Sequence, residues 1–263
     1  MALTVQEVID RMLERVPGAP FDETVDTLKS GSPDAVVKGI VTTFITTMDV
    51  LRRAVELGAN LVITHEPTFY KHEDDTGDLG DDPVVAAKRA YMEENGLCVF
   101  RFHDYWHGVQ PDGVGVGVTR ALGWTKYEDP ETECLFHLPP TTLRELAREV
   151  KAKLGADPVR VVGDPGMACS TVSLMMGAVP CKWQVASLRR EGVDVLVCGE
   201  AREWETYEYA RDACALGMGK ALIVAGHCVS EEPGMDYLVE WLGEVVPEVT
   251  ATFVPAGSPA WTV

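Results

Sequence analysis

The chain has 263 residues, 46% of them apolar, enough for one large α/β domain or two small ones with a real core. A net charge of −18 works against non-specific nucleic-acid binding, which depends on Lys and Arg neutralising phosphates, and no apolar run reaches the length of a membrane span. The seven cysteines include no C-x-x-C pair, and the first residues lack a cationic stretch followed by an apolar one, so the expectation is a cytoplasmic protein with reduced thiols and no secretion signal.

Thr4 and Glu7 form a capping box for a helix with Val8, Ile9, Met12 and Leu13 on one face, ending before Pro17-Gly18. Residues 21–33 are polar and read as a loop. Residues 35–44 are β-branched and predict a strand, followed by a helix from Thr47 or Asp49 to Leu57. Leu61-Val62-Ile63-Thr64 is a buried strand, stopped by His65-Glu66-Pro67. After an acidic loop, Asp82-Pro83 reads as cap and first position of a helix to about Glu94. The strand at 97–102 ends in His103-Asp104-Tyr105-Trp106-His107. Strand, helix, strand, helix, strand is the pattern of parallel βαβ units.

Residues 114–122 predict a short glycine-rich helix or turn. The character changes after Gly123, which divides the chain into a half over 1–125 and a half over 126–263. In the second half, a strand at 132–138 is expected to be broken by Pro139-Pro140. An amphipathic helix then runs from Thr141 or Thr142 to Leu154. Strands follow at 159–162, 171–176 and 193–198, with a helix near 181–190. The third of these strands ends in Gly199-Glu200, and a helix follows at 204–216. The strand 221–225 ends in Gly226-His227, a last helix covers about 235–245, and a final strand spans 249–254.

In open α/β sheets, ligands gather beyond the carboxyl ends of the strands. Four strand ends carry candidates here: His65 and Glu66; His103, Asp104 and His107; Glu200; and His227 with Glu231. Each alone has an ordinary reading. His65-Glu66 could cap a helix, His103 and His107 could stack on Tyr105 and Trp106, and Glu231 could simply open the last helix, where a carboxylate complements the dipole. Their recurrence at strand ends points to a metal. Imidazole with carboxylate and no thiolate suits zinc, manganese, iron or cobalt better than a cysteine-based structural zinc. His72 reads as a surface residue of the acidic loop, and His137 has no assigned role.

With these residues in view, the chain resembles the Nif-three-like family, dinuclear metal-centre hexameric proteins labelled GTP cyclohydrolase 1 type 2 homologues. The stretch 58–67 is similar to the family's segment ending in Thr-His-His-Pro, and 99–107 to its strand ending in His-Thr-x-x-Asp. Val161-Val162-Gly163-Asp164 and Gly199-Glu200 have family counterparts. The stretch 225–234 is similar to Gly-His-x-x-x-Glu-x-Pro-Gly, the most specific match. Two positions depart in a complementary way. Glu66 stands where the family has the second His of its pair, and His107 where it has Asp, so Glu66 and His107 are expected at the same cluster.

The resemblance implies an α/β fold of two interlocked three-layer halves with the metal site between them. It implies two divalent ions, with His65, Glu66, Asp104, His107, His227 and Glu231 as ligands and Glu231 or Asp104 bridging. Glu200 and His103 would orient ligands or serve as general base. The implied protein is a homo-oligomer, a hexamer, that hydrolyses a small nucleotide or phosphate-bearing substrate. The alternative is a non-catalytic metal-binding ring acting in metal handling or as a regulatory partner. Trp106, Trp183, Trp204 and Trp241 add weak support for association.

Overall fold

The computed structural model describes residues 2–263. Its strands are β1 Leu28–Ser30, β2 Ile40–Thr43, β3 Leu61–Thr64, β4 Cys98–Arg101, β5 Leu135–Thr142, β6 Arg160–Val162, β7 Ala168–Met175, β8 Val195–Cys198, β9 Ala221–Val224 and β10 Ala251–Phe253. Its helices are α1 Val5–Leu13, α2 Met48–Glu56, α3 Pro83–Glu94, α4 Asp104–Gly108, α5 Gly113–Leu122, α6 Leu143–Leu154, α7 Cys181–Leu188, α8 Glu208–Ala215 and α9 His227–Val245. The fold is α/β with two five-stranded sheets, each the centre of its own compact unit. The first unit takes the chain up to Val114 and takes it back at Gly234–Ala256; the second takes Gly115–Pro233 and Gly257–Val263. The sequence suggested instead one boundary near residue 125.

The sheet of the first unit has the order β1-β4-β3-β2-β10. β10, β2, β3 and β4 run parallel and only β1 is antiparallel, on the edge. Every residue of β2, β3 and β4 is buried, which is why these strands read as apolar and β-branched runs without alternation, Arg101 at the end of β4 apart. One face packs Val41, Val62 and Val99 against Leu51 and Ala54 of α2 and Met92 of α3. Helix starts follow local chemistry: Thr4 and Glu7 close the capping box on α1, Thr47 caps α2, and Asp82 caps α3 ahead of Pro83.

The second sheet has the order β5-β7-β8-β9-β6, with a parallel centre and an antiparallel strand at each edge. Its core joins Leu196 and Leu222 to Leu188 of α7 and Ala210 of α8.

Four expectations need correction. The segment 21–33 contains β1, which pairs with β4 at Leu28 and Ser30. Pro139-Pro140 does not end β5: the pairing with β7 lapses between His137 and Thr141 and then resumes, since prolines are accommodated at an irregularity in an edge strand. The expected helix at 204–216 begins with one π-helical turn, Glu203–Tyr207, before α8. The last helix starts at His227, not near 235, and carries Pro233 inside it. No helix among the described residues is long and apolar enough to cross a membrane.

Candidate metal centre

In the first unit, parallel β3 and β4 are paired in register, Thr64 opposite Arg101. Their chain continuations therefore emerge side by side, His65 from one and His103 from the other. One turn along α4, His107 joins them. The donor atoms of His65, His103 and His107 lie within 4.8 Å of one another. The rings of His65 and His103 are stacked at 4.5 Å, and His107 stands edge-on to both at 5.0 and 5.1 Å.

Each ring is held by its Nδ1. His103 Nδ1 lies 2.8 Å from Asp104 Oδ1, His107 Nδ1 lies 2.9 Å from Asp112 Oδ2, and His65 Nδ1 lies 3.4 Å from the Phe102 carbonyl. An imidazole held at Nδ1 binds a metal through its other nitrogen, Nε2. Imidazoles braced in this way by carboxylates or carbonyls are the usual state of metal-binding histidines. The donor set therefore fits a divalent transition ion.

The carboxylates sort differently from the expected ligand set. Asp104 Oδ1 faces His103, while Oδ2 accepts from Thr24 Oγ1 at 2.9 Å and the Val25 N–H at 3.1 Å. Burial works to raise the Asp104 carboxyl, but the bonds from His103, Thr24 and Val25 outweigh it and hold it below the usual range. Glu66 lies beside His65, with an oxygen within 4.8 Å of a ring nitrogen. Its Oε1 is 3.9 Å from His103 Nε2 and its Oε2 is 3.5 Å from Arg101. His107 clusters with His65 and His103, so Glu66 and His107 each approach the same two imidazoles.

Three residues that the sequence reading passed over build the frame. Asp112 braces His107 with Oδ2 while Oδ1 accepts the Val114 N–H at 2.8 Å, fastening α4 to the start of α5. Gly113 makes this joint possible, since a Cβ there would collide with the Trp106 indole. Asp26 accepts the His103 N–H at 2.9 Å and the Tyr105 N–H at 2.8 Å, capping α4 from a distant loop. Burial pushes the Asp26 carboxyl up despite those bonds. Arg101, fully buried, donates from Nε to the His65 carbonyl at 3.0 Å and also to the His72 carbonyl. Asp112 was legible as an acidic residue just before a helix; the other two had no local signal, because their partners are far away in sequence.

Trp106 is buried in the first unit, 5.8 Å from Phe102 and 5.4 Å from Trp241, so it serves the core there.

In the second unit, the early start of α9 puts His227 and Glu231 one turn apart on one face. His227 Nε2 lies 3.1 Å from Glu231 Oε2, and Nδ1 lies 3.0 Å from Glu200 Oε1. A neutral imidazole has a single N–H, so it can donate to only one of the two carboxylates; a proton or a metal ion completes the other contact. Glu231 is only 4% exposed, and a buried carboxylate is costly unless charge compensates it. The backbone makes room for it at Gly177 after β7, whose φ is +66° and where a Cβ would collide with Glu231 Oε1. The Gly177 N–H is bound by Ser230 Oγ at 3.0 Å, and Gly199 packs on the same serine. His72, though exposed, stands edge-on to the His103 ring at 5.9 Å, while His137, paired with Asp129 at 2.8 Å, belongs to neither group.

A family model described as Duf34/NIF3 (NGG1p interacting factor 3) matches residues 3–258. A "GTP cyclohydrolase 1 type 2 homolog" of Escherichia coli (strain K12) is 29% identical over 238 residues, covering 85% of this chain and 86% of its own. A protein of the same name from Clostridium acetobutylicum is 26% identical over 219 residues, covering 79% and 77%. Among solved structures, a Bacillus cereus protein related to NIF3 matches over the whole of both chains with a TM-score of 0.79 at 15% identity. A Staphylococcus aureus hypothetical protein does so with 0.78 at 16%. At those identities the structural likeness speaks to the fold.

Proposed function

Because this chain belongs to the Duf34/NIF3 family, we propose that it is a dinuclear-metal-dependent hydrolase of a small, phosphate-bearing substrate. The observation that carries the reading is the gathering of His65, His103 and His107, two of them braced by carboxylates. Beside these rings in the first unit stands the Glu66 carboxylate, and the second unit holds its own group of strong donors, His227 and Glu231. Zinc, manganese, iron or cobalt would suit such ligands. When bound, a pair of such ions supplies an acidic water and stabilises charge on the displaced oxygen.

The chain's own residues prepare that chemistry. Asp104 and Asp112 fix the tautomer and orientation of His103 and His107. Arg101 holds the His65 carbonyl and lies 3.5 Å from Glu66, which limits where that carboxylate can swing. Glu200, exposed and 3.0 Å from His227 Nδ1, orients that ring and is our candidate for taking up a proton. We further propose that the chain works as a homo-oligomer, a hexamer by the family resemblance. Phosphoester and nucleotide turnover by metal-loaded protein tests the reading. Turnover should vanish in His107→Ala and His227→Ala variants that keep their circular dichroism. A fully metal-loaded protein without turnover on any such substrate would favour a non-catalytic metal-binding ring.

A further inference from the structure

At the carboxyl ends of β7 and β8, the second unit holds a cavity of about 390 Å³. Lys182 and Arg202 line it together with Gln184, Glu200 and Glu205. In α/β sheets this is the side where ligands collect. The walls are tied together by one buried side chain. Gln184, 1% exposed, donates from Nε2 to the Glu200 carbonyl at 2.7 Å and accepts from Thr206 Oγ1 at 2.6 Å. It thereby joins α7, the end of β8 and the π-helical turn Glu203–Tyr207. Single π turns are frequent at functional sites.

The charges in this cavity depart from those of the whole molecule. The chain carries −18, yet here an ammonium and a guanidinium share one lining. Of the two carboxylates, Glu200 is engaged by His227, and Glu205 lies 3.4 Å from Arg202 as a partner that an incoming anion could displace. Arg offers a planar fork to phosphate oxygens and Lys a mobile point charge. Glu200 both lines the cavity and contacts His227 of the His227–Glu231 group.

We propose that this cavity binds the phosphate group of a phosphomonoester through Lys182 and Arg202. It rests on the hydrolase reading only for the role of the bound molecule as substrate; the binding itself requires no metal. Lys182 and Arg202 are exposed, so their replacement leaves the core intact. The test is calorimetric titration of EDTA-treated protein with inorganic phosphate, adenosine 5′-monophosphate and adenosine. Phosphate and the nucleotide should bind, and adenosine at least about tenfold more weakly than the nucleotide. The Lys182→Ala/Arg202→Ala double variant should lose about tenfold or more of the nucleotide affinity while taking up zinc as the wild type does. Equal binding of adenosine and nucleotide, or unchanged nucleotide affinity in the double variant, would overturn the proposal. Phosphate binding in a protein that takes up no zinc would sink the metal-hydrolase reading and leave this site standing.

Discussion

His103 and His107 owe their chemistry to the carboxylates behind them. Asp104 and Asp112 occupy Nδ1 of each ring, so two acidic residues are placed to orient the imidazoles. Removing such a brace costs metal affinity without removing a ligand, typically ten- to a hundredfold. Asp112→Ala is therefore expected to weaken zinc binding by about that factor, read by competition with a chromophoric chelator; unchanged affinity would leave Asp112 as a helix cap alone. Lys88 gives a second prediction. It is 3% exposed, its ammonium donates to the Thr68 carbonyl, and burial lowers its pKa from 10.5 to about 8, with Asp74 opposing. Between about pH 8 and 10 the unfolded chain binds more protons than the folded one, so this residue's contribution to stability rises with pH there. Urea titrations of wild type and Lys88→Met should show wild-type stability gaining on the variant across that window. A gap that stays constant would show that Lys88 is not held with a depressed pKa.

At the scale of elements, the central parallel strands were legible because burial on both faces writes them as apolar and β-branched runs without alternation. The residues that follow β3, β4, β8 and β9 were legible for the complementary reason: polar and ionisable groups placed at strand ends have little packing use. Four elements were read wrongly or missed. β1 is three residues of mixed character whose strand state comes from its partner β4. β5 hides behind two prolines that an edge position tolerates. The π turn before α8 departs from the helical periodicity that the sequence offers there. α9 begins at His227 and not near the expected 235, because a helix can pass through a proline such as Pro233 when the lost hydrogen bond is tolerated. Asp26 and Arg101 were beyond sequence reasoning, since both act across gaps of many residues. β3 is the central strand of the first sheet, and its Ile63 is fully buried. Ile63→Ala should cost about 2–5 kcal/mol in chemical denaturation and lower Tm. A cost under about 1 kcal/mol would mean that the strand relaxes around the cavity.

For the whole molecule, family membership, an α/β fold with one five-stranded sheet in each of two units, and groups of histidine and carboxylate that could hold a metal agree with one another. The acidic surface suits a protein that takes up cations, and it makes a cavity lined by Lys182 and Arg202 the more distinctive. Bound ions should also stabilise the folded chain, because they favour the state that assembles their ligands. The most direct measurement is the metal content of the purified protein, followed by anomalous diffraction to locate the ions. Two divalent ions per chain are expected, with His65, His103 and His107 on one of them. A fully folded protein that binds no divalent ion under any loading condition would contradict that expectation.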